Sequence, residues 1–319
     1  MTEIWAEGPA ETWKPLEITP EGAGVEPTET GLARYLSGLG DVEPLLTSAK
    51  AVVLRGFDVS PDRLDPVLDV LLPNRLPYVH GTSPRTKVGR NVYTSTEYPS
   101  EFTIAMHSEL SYASGWPERL AFYCERPAAE GGATPVVDGA LWLSLIDPEI
   151  RRAFAEGVRY IQNLHDGFGF GNSWQKTFEC EDRGTVEELL RAAGAQWEWR
   201  EGTGLRIEQT RPATARHPRT GEEVWFNQAD QFHPAGLGDT AAAELALILG
   251  PDELPQSVFY ADGGEIPADA IQHIQQCGLA AAVDVEWRRG DILLIDNMLV
   301  AHGRRPYTGP RRVLVAMSG

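Results

Sequence analysis

Short β-rich runs closed off by Gly or Pro constrain this chain most. "RLAFYCERPA" (119–128), "GGATPVVDG" (131–139), "GDILLIDNMLVAHG" (290–303) and "RRVLVAMSG" (311–319) read as strands, and "AKAVVLRGF" (49–57) reads as a buried one. Further strands are expected at 158–165 and 222–229, and loop with short β segments at 81–100. Helical spacing falls between them: 29–40 with a Gly stop, 60–73 with Ser60 as N-cap and Pro61 in first position, 141–157, 184–195 with Thr185 and Glu188 as a capping box, 239–250 and 267–282. This order predicts a mainly β protein, closed or sandwiched, with inserted helices. A doubly wound sheet is excluded by the order, and there is no Gly-rich strand-to-helix phosphate loop. No internal repeat or low-complexity linker divides the 319 residues, so a single domain is expected.

Charge narrows the partners. With 28 Lys and Arg against 46 Asp and Glu, the formal net charge is −18, which argues against nucleic acid and against an anionic membrane surface. Cys124, Cys180 and Cys277 show no paired spacing, so free thiols and a reducing cytoplasm are expected. Residues 1–30 carry neither a basic n-region nor an apolar h-region, and no apolar run reaches the length of a membrane span.

"AMHSELSY" (105–112) puts His107 and Glu109 two apart in what reads as a strand, so both side chains would share one face. A hydrogen-bonded pair explains that, and so does a metal. A metal needs a third ligand. Of the seven histidines, His302 follows a buried run and ends it in a polar turn, as a ligand at the mouth of a β core would. Two imidazoles and one carboxylate with open positions are the donor set of a non-heme Fe(II) oxygenase. Nine and ten residues later, Arg311 and Arg312 offer planar forks suited to a carboxylate.

These pieces, "VYTST", "MHSELSY", "WPERLAFYCERPAAEGGATPVVD", "VWFNQADQFH" and "WRRGDILLIDNMLVAHGRRPYTGPRRVLVAM", resemble the Fe(II)- and 2-oxoglutarate-dependent dioxygenases of the taurine dioxygenase superfamily. Within it the nearest likeness is to clavaminate synthase and the syringomycin-type amino-acid hydroxylases. The resemblance runs from about residue 90 to the C-terminus, more weakly from "VVLRGF" onward. It implies a double-stranded β-helix, the cupin-like jelly roll, over 49–138 and 222–319, with an N-terminal extension and helix (1–48) and a helical and loop insertion (139–221). It implies that His107, Glu109 and His302 hold Fe(II). Thr134 and Arg312 would bind the far carboxylate of 2-oxoglutarate, with Arg311 as rival because the interval from His302 is shorter than in several relatives. Strand alternation allows only one of the two arginines to point inward. Because Glu109 is present where the family's halogenases have a small residue, oxygen transfer is expected.

With dioxygen as co-substrate, the implied reaction is hydroxylation of an unactivated carbon of a small amino-acid-like substrate, releasing succinate and CO2. Desaturation, cyclisation, or action on an amino acid tethered to a carrier protein are alternatives within the family. A non-catalytic binding protein and a zinc hydrolase are the alternatives outside it. Tyr93, Ser95, Asn227 and Trp174 are the substrate-facing candidates, Trp174 within a 165–178 segment that reads as a lid or a long loop. Arg85, Lys87 and Arg90 in "SPRTKVGR" (83–90) form a basic cluster that reads as a solvated loop, a substrate-carboxylate site or a carrier-docking site.

Overall fold

The computed structural model describes residues 13–78, 85–167, 171–200, 202, 204–236, 249 and 253–319. The expected helix at 239–250 lies outside these except for residue 249, as do His80 and residues 168–170 of the expected lid.

The molecule is mostly β with several helices. A seven-stranded sheet runs, in spatial order, Leu16–Ile18, Ala51–Leu54, Ile292–Asp296, Arg119–Arg126, Arg312–Ser318, Val92–Thr94 and Lys87–Gly89. Its first pair is parallel and the rest antiparallel. A four-stranded antiparallel sheet orders Val283–Val285, Thr134–Asp138, Val300–Arg304 and Ile104–His107.

The central strands of the larger sheet are apolar without interruption because both faces are covered. Phe122, Leu293, Ile295, Val313 and Val315 pack in one core cluster with Val136, Val137, Val300 and Ala301 of the smaller sheet. Their neighbours Ala121, Tyr123, Ile292, Leu294, Leu314 and Ala316 pack in a second with Leu32, Leu36, Leu64 and Leu68 of the N-terminal helices. One face is therefore sheet against sheet and the other sheet against helix, with a period of two along each strand.

Several expected elements divide. The 290–303 run is two strands on different sheets, turning at Asn297, where Asp296 Oδ1 accepts from the amides of Met298 and Leu299. The 141–157 helix is Gly139–Leu145 followed by Pro148–Ala153, because Asp147 caps a new start at Pro148. Glu29–Leu39 is helical as expected, capped by Thr28. Ser60 opens a 3-10 turn (Pro61–Arg63) without a side-chain cap before Leu64–Leu71. The 184–195 helix is Arg183–Ala192, capped by Asp182, so the Thr185 capping box does not form.

The insertion expected to be helical and loop also carries strands. Val158–Leu164, Gln196–Arg200 and Gly204–Arg211 form a four-stranded sheet with Gln256–Tyr260. Alternation there is weaker: Gln196–Arg200 has no fully buried position. None of the helices among the described residues is long and apolar enough to cross a membrane.

Candidate active site

The smaller sheet brings the two histidines together. Ile104–His107 and Val300–Arg304 run antiparallel with His302 opposite His107, and the ring centroids stand 4.3 Å apart. The strand ends at His107, so Glu109 does not arrive by the same-face rule. The chain turns over 108–111, with Leu110 at φ 57°, and Asn297 fixes the turn. Asn297 Oδ1 accepts from the Glu109 amide at 2.7 Å, and its Nδ2 donates to the carbonyls of Glu109 at 3.0 Å and Pro117 at 2.8 Å. Ligating atoms of His107, Glu109 and His302 all lie within 4.8 Å of one another, and all three residues are buried.

Asn297 thus ties the carboxylate's backbone to the turn between two sheets. Asn297→Ala strands buried backbone groups of Glu109 and should cost about 1–3 kcal/mol of stability and weaken metal affinity. Asn297→Asp keeps the acceptor for the Glu109 amide and should recover part of both. Urea midpoints and metal titrations check this; unchanged metal affinity in the alanine variant would show that the clamp is not needed.

The protonation states suit a divalent metal. Burial keeps the His107 imidazole below its ordinary value despite the nearby Glu109 charge. Burial, with the Arg85 charge nearby and the competing His107 ring beside it, holds His302 well below. For Glu109, burial pushes the carboxyl up, but the Arg85 and His107 charges and hydrogen bonds from Arg85 and Tyr78 outweigh it, so it lies below the usual range. Two neutral imidazoles and an ionised carboxylate are what coordination requires. His107 Nδ1 lies 2.9 Å from the Ala105 carbonyl, which leaves Nε2 for coordination. His302 Nδ1 has no hydrogen-bond partner among the described residues. The donor set, its burial and this unmatched nitrogen fit an Fe(II) ion.

One cavity contains His107, His302, Phe122, Thr134, Ser95, Arg85, Arg304 and Arg311. Of the two adjacent arginines, Arg311 lines this cavity and Arg312, the one preferred from sequence, does not. Arg312 is half exposed, with Nε 2.7 Å from Glu125 Oε2 on the outer face. Arg311 shares the face of Val313, two residues on, which also lines the cavity. Arg311 Nε donates to the Gly132 carbonyl at 3.0 Å. Gly132 has φ 73°, and a Cβ there would lie 3.0 Å from Arg311 Cδ and 3.1 Å from Nε. The second glycine of "GGATP" therefore makes room for the arginine. Burial and the neighbouring Arg304 charge pull the Arg311 guanidinium down to about 10, still charged at neutral pH. Thr134 Oγ1 accepts from Trp287 Nε1 at 3.0 Å, which leaves its own hydrogen to donate.

Of the substrate-facing candidates, only Ser95 lines this cavity. Tyr93 is buried beside it, its hydroxyl accepting from the Tyr78 amide at 3.0 Å. Asn227 is committed to backbone: Nδ2 donates to the Ala213 carbonyl and Oδ1 accepts from the Ala229 amide. Trp174 belongs to a separate core cluster with Leu164, Phe178 and Leu190, its indole donating to Asp166. The basic cluster is not a free patch either. Arg90 pairs with Asp69, Lys87 stands 5.8 Å from the Tyr93 ring centroid, and Arg85 is buried against Glu109.

Two further arginines line the cavity. Arg85 belongs to the basic cluster whose expected readings were a solvated loop, a substrate-carboxylate site or a carrier-docking site, whereas Arg304 had no sequence signal. Arg304 follows His302 by two and shares its face, yet its nitrogens donate to the carbonyls of Tyr98, Pro99 and Phe102. It anchors that turn at the cavity edge.

Residues 20–317 match the model of the family described as taurine catabolism dioxygenase TauD, TfdA family. The chain is 38% identical over 278 residues to the dapdiamide synthesis protein DdaC of Enterobacter agglomerans, covering 86% of this chain and 84% of that protein. It is 32% identical over 317 residues to a clavaminate synthase-like protein of Arabidopsis thaliana, covering 95% and 93%. A solved structure, PvcB from Pseudomonas aeruginosa, superposes with a TM-score of 0.48 at 15% identity, over 89% of this chain and 78% of that one. The match over nearly the whole chain and the buried His107, Glu109 and His302 set agree: the chain belongs to the TauD/TfdA family and is an Fe(II)- and 2-oxoglutarate-dependent dioxygenase.

Proposed function

We propose that this enzyme hydroxylates an unactivated carbon of a small amino-acid-like substrate, with succinate and CO2 as the other products. The observation that supports this best is the shared cavity: His107 and His302 of the ligand set line one space with Arg311 and Thr134, and the Glu109 carboxylate lies within reach of both histidines. A hydrolase has no use for a dicarboxylate clamp beside its metal. The likeness to a clavaminate synthase-like protein and to a protein of dapdiamide synthesis supports an amino-acid-derived substrate. We read the two facing sheets as the jelly roll of the family, and residues 1–319 as one catalytic unit.

In this reading His107, Glu109 and His302 hold the iron. Fe(II), 2-oxoglutarate and dioxygen together supply the oxidising power that breaks a C–H bond. The chain's own residues bind and orient. Arg311 takes the far carboxylate of 2-oxoglutarate as a charge-assisted pair, and the Thr134 hydroxyl donates to the same group. Trp287 fixes the Thr134 rotamer. Phe122, with its ring centroid 5.0 Å from that of His302, gives an apolar wall that keeps water from the metal. Ser95 is the polar group we assign to the substrate side.

The test supplies Fe(II), 2-oxoglutarate and oxygen with a panel of amino acids, each free and as a carrier-protein thioester, and follows succinate and product mass. Succinate matched by a product heavier by one oxygen atom is expected from a free substrate. Product only from a thioester rejects the free small molecule. Turnover with Zn(II) but not Fe(II) rejects the oxygenase chemistry.

A further inference from the structure

Arg85 has an unusual environment for a cation. Its side chain is 3% exposed, with Nη2 2.6 Å from Glu109 Oε2. Its guanidinium carbon stands 4.1 Å from the centroid of the Tyr78 ring. A guanidinium offers five N–H donors over three nitrogens. Here Nε and Nη1 are both buried with no hydrogen-bond partner among the described residues. Buried donors left unmatched are costly, and they point to a group not supplied by the chain.

The charge balance points the same way. Among the described residues the cavity lining holds Arg85, Arg304 and Arg311 and no carboxylate. Glu109 stands beside it, and in the holoenzyme its charge is shared with the metal. Arg304 is capped by three carbonyls, and Arg311 lies by Gly132. Even with a dianionic co-substrate bound, the centre keeps surplus positive charge. Among the described residues Arg304 keeps one unmatched donor, Nε, whereas Arg85 keeps two of its three nitrogens unmatched, on the Glu109 side.

We propose that Arg85 binds the α-carboxylate of the prime substrate, so that the enzyme selects a free amino acid over one whose carboxyl is masked as an amide or thioester. This rests on the oxygenase reading above and deepens it. Arg85 then has two contacts, the metal-binding carboxylate through Nη2 and the substrate through its remaining N–H groups. The first holds the second beside the metal. From sequence its cluster read as a solvated loop, a substrate-carboxylate site or a carrier-docking site; the burial of Arg85 favours the second and removes it from any carrier surface.

The experiment loads wild-type, Arg85→Gln and Arg85→Lys enzymes with Fe(II) and 2-oxoglutarate without oxygen. Each is titrated by calorimetry with free L-α-amino acids and their matched α-carboxamides, and iron content is measured in parallel. At least one free acid should bind the wild type about 100-fold more tightly than its amide. Arg85→Gln should lose that preference, and Arg85→Lys should restore part of it. If no free acid binds more tightly than its amide, the assignment is overturned. It is equally overturned if Arg85→Gln loses iron while its loaded fraction keeps the preference, since the residue would then only position Glu109. Fe(II)-dependent binding of 2-oxoglutarate to the wild type, titrated in the same calorimeter, is the separate readout. Its absence counts against the oxygenase reading; its presence without acid preference counts against Arg85 alone.

Discussion

His302→Ala is expected to abolish iron-dependent 2-oxoglutarate consumption and leave a folded protein. Three protein ligands are all that a facial triad has, and the described residues place no further His, Cys, Asp or Glu in the group. His302 is also the cleanest of the three positions to change. Its backbone is paired on both sides, with Val136 and with His107, so the strand survives truncation. Its Nδ1 bonds to none of the described residues, so the substitution strands no partner there. Glu109→Ala differs, because it leaves the buried Arg85 without its counter-charge, and breaking a buried pair costs about 3–5 kcal/mol. Loss of activity at Glu109 would therefore mix lost coordination with lost stability. The measurement is succinate formation and bound iron, with far-UV circular dichroism and a urea midpoint as controls. Iron-dependent turnover at the wild-type rate in a folded His302→Ala protein would sink the ligand assignment.

Much of the core was legible because burial leaves a mark on each residue in turn. "LAFYC" and "ILLI" are apolar at every position, and the structure covers both faces of those strands. His107 and His302 were legible as well, one at the end of a β run and one inside it. Glu109 was found for an incomplete reason. The spacing of two suggested a continuous strand, whereas a left-handed Leu110 and the Asn297 clamp deliver the carboxylate. That clamp joins positions 188 residues apart, and no local pattern reports it.

Arg85 shows the same limit. Sequence shows a cation between small and polar neighbours, and the carboxylate that buries it lies 24 residues away. Trp174 failed in the opposite direction. An aromatic among glycines and amides suggested a lid, but its ring is buried in a small separate cluster, edge-on to Trp199 at 5.2 Å. Tertiary partners decide such residues, and a one-dimensional pattern carries only their type.

The two adjacent arginines give the second large effect. Arg311→Ala is expected to raise the KM for 2-oxoglutarate by at least about 30-fold, since truncating one member of a charge-assisted pair in a desolvated site costs about 2–5 kcal/mol. Arg312→Ala should change it little. Its partner Glu125 is on the outer face, both side chains are substantially exposed, and such a pair contributes about 0–1 kcal/mol. The asymmetry comes from the strand. Between Arg312 and Val313 the pairing with Arg119–Arg126 slips by one residue, with Arg312 opposite Arg126 and Val313 opposite Cys124. Glu125 is left at the slip, where it meets Arg312, while Arg311 and Val313 face the cavity. Arg311→Lys separates charge from shape. A lysine keeps the positive charge but not the planar fork, and it cannot also reach the Gly132 carbonyl as Nε does. It should fall between wild type and alanine. Gly132→Ala should act through the same residue, because a Cβ there meets Arg311 at 3.0–3.1 Å and the φ of 73° disfavours any side chain. Its KM for 2-oxoglutarate should rise with iron affinity unchanged. Should Arg312→Ala prove the more damaging of the two alanine variants, the co-substrate would have to enter from the outer face of the larger sheet, and the cavity would lose its assigned role.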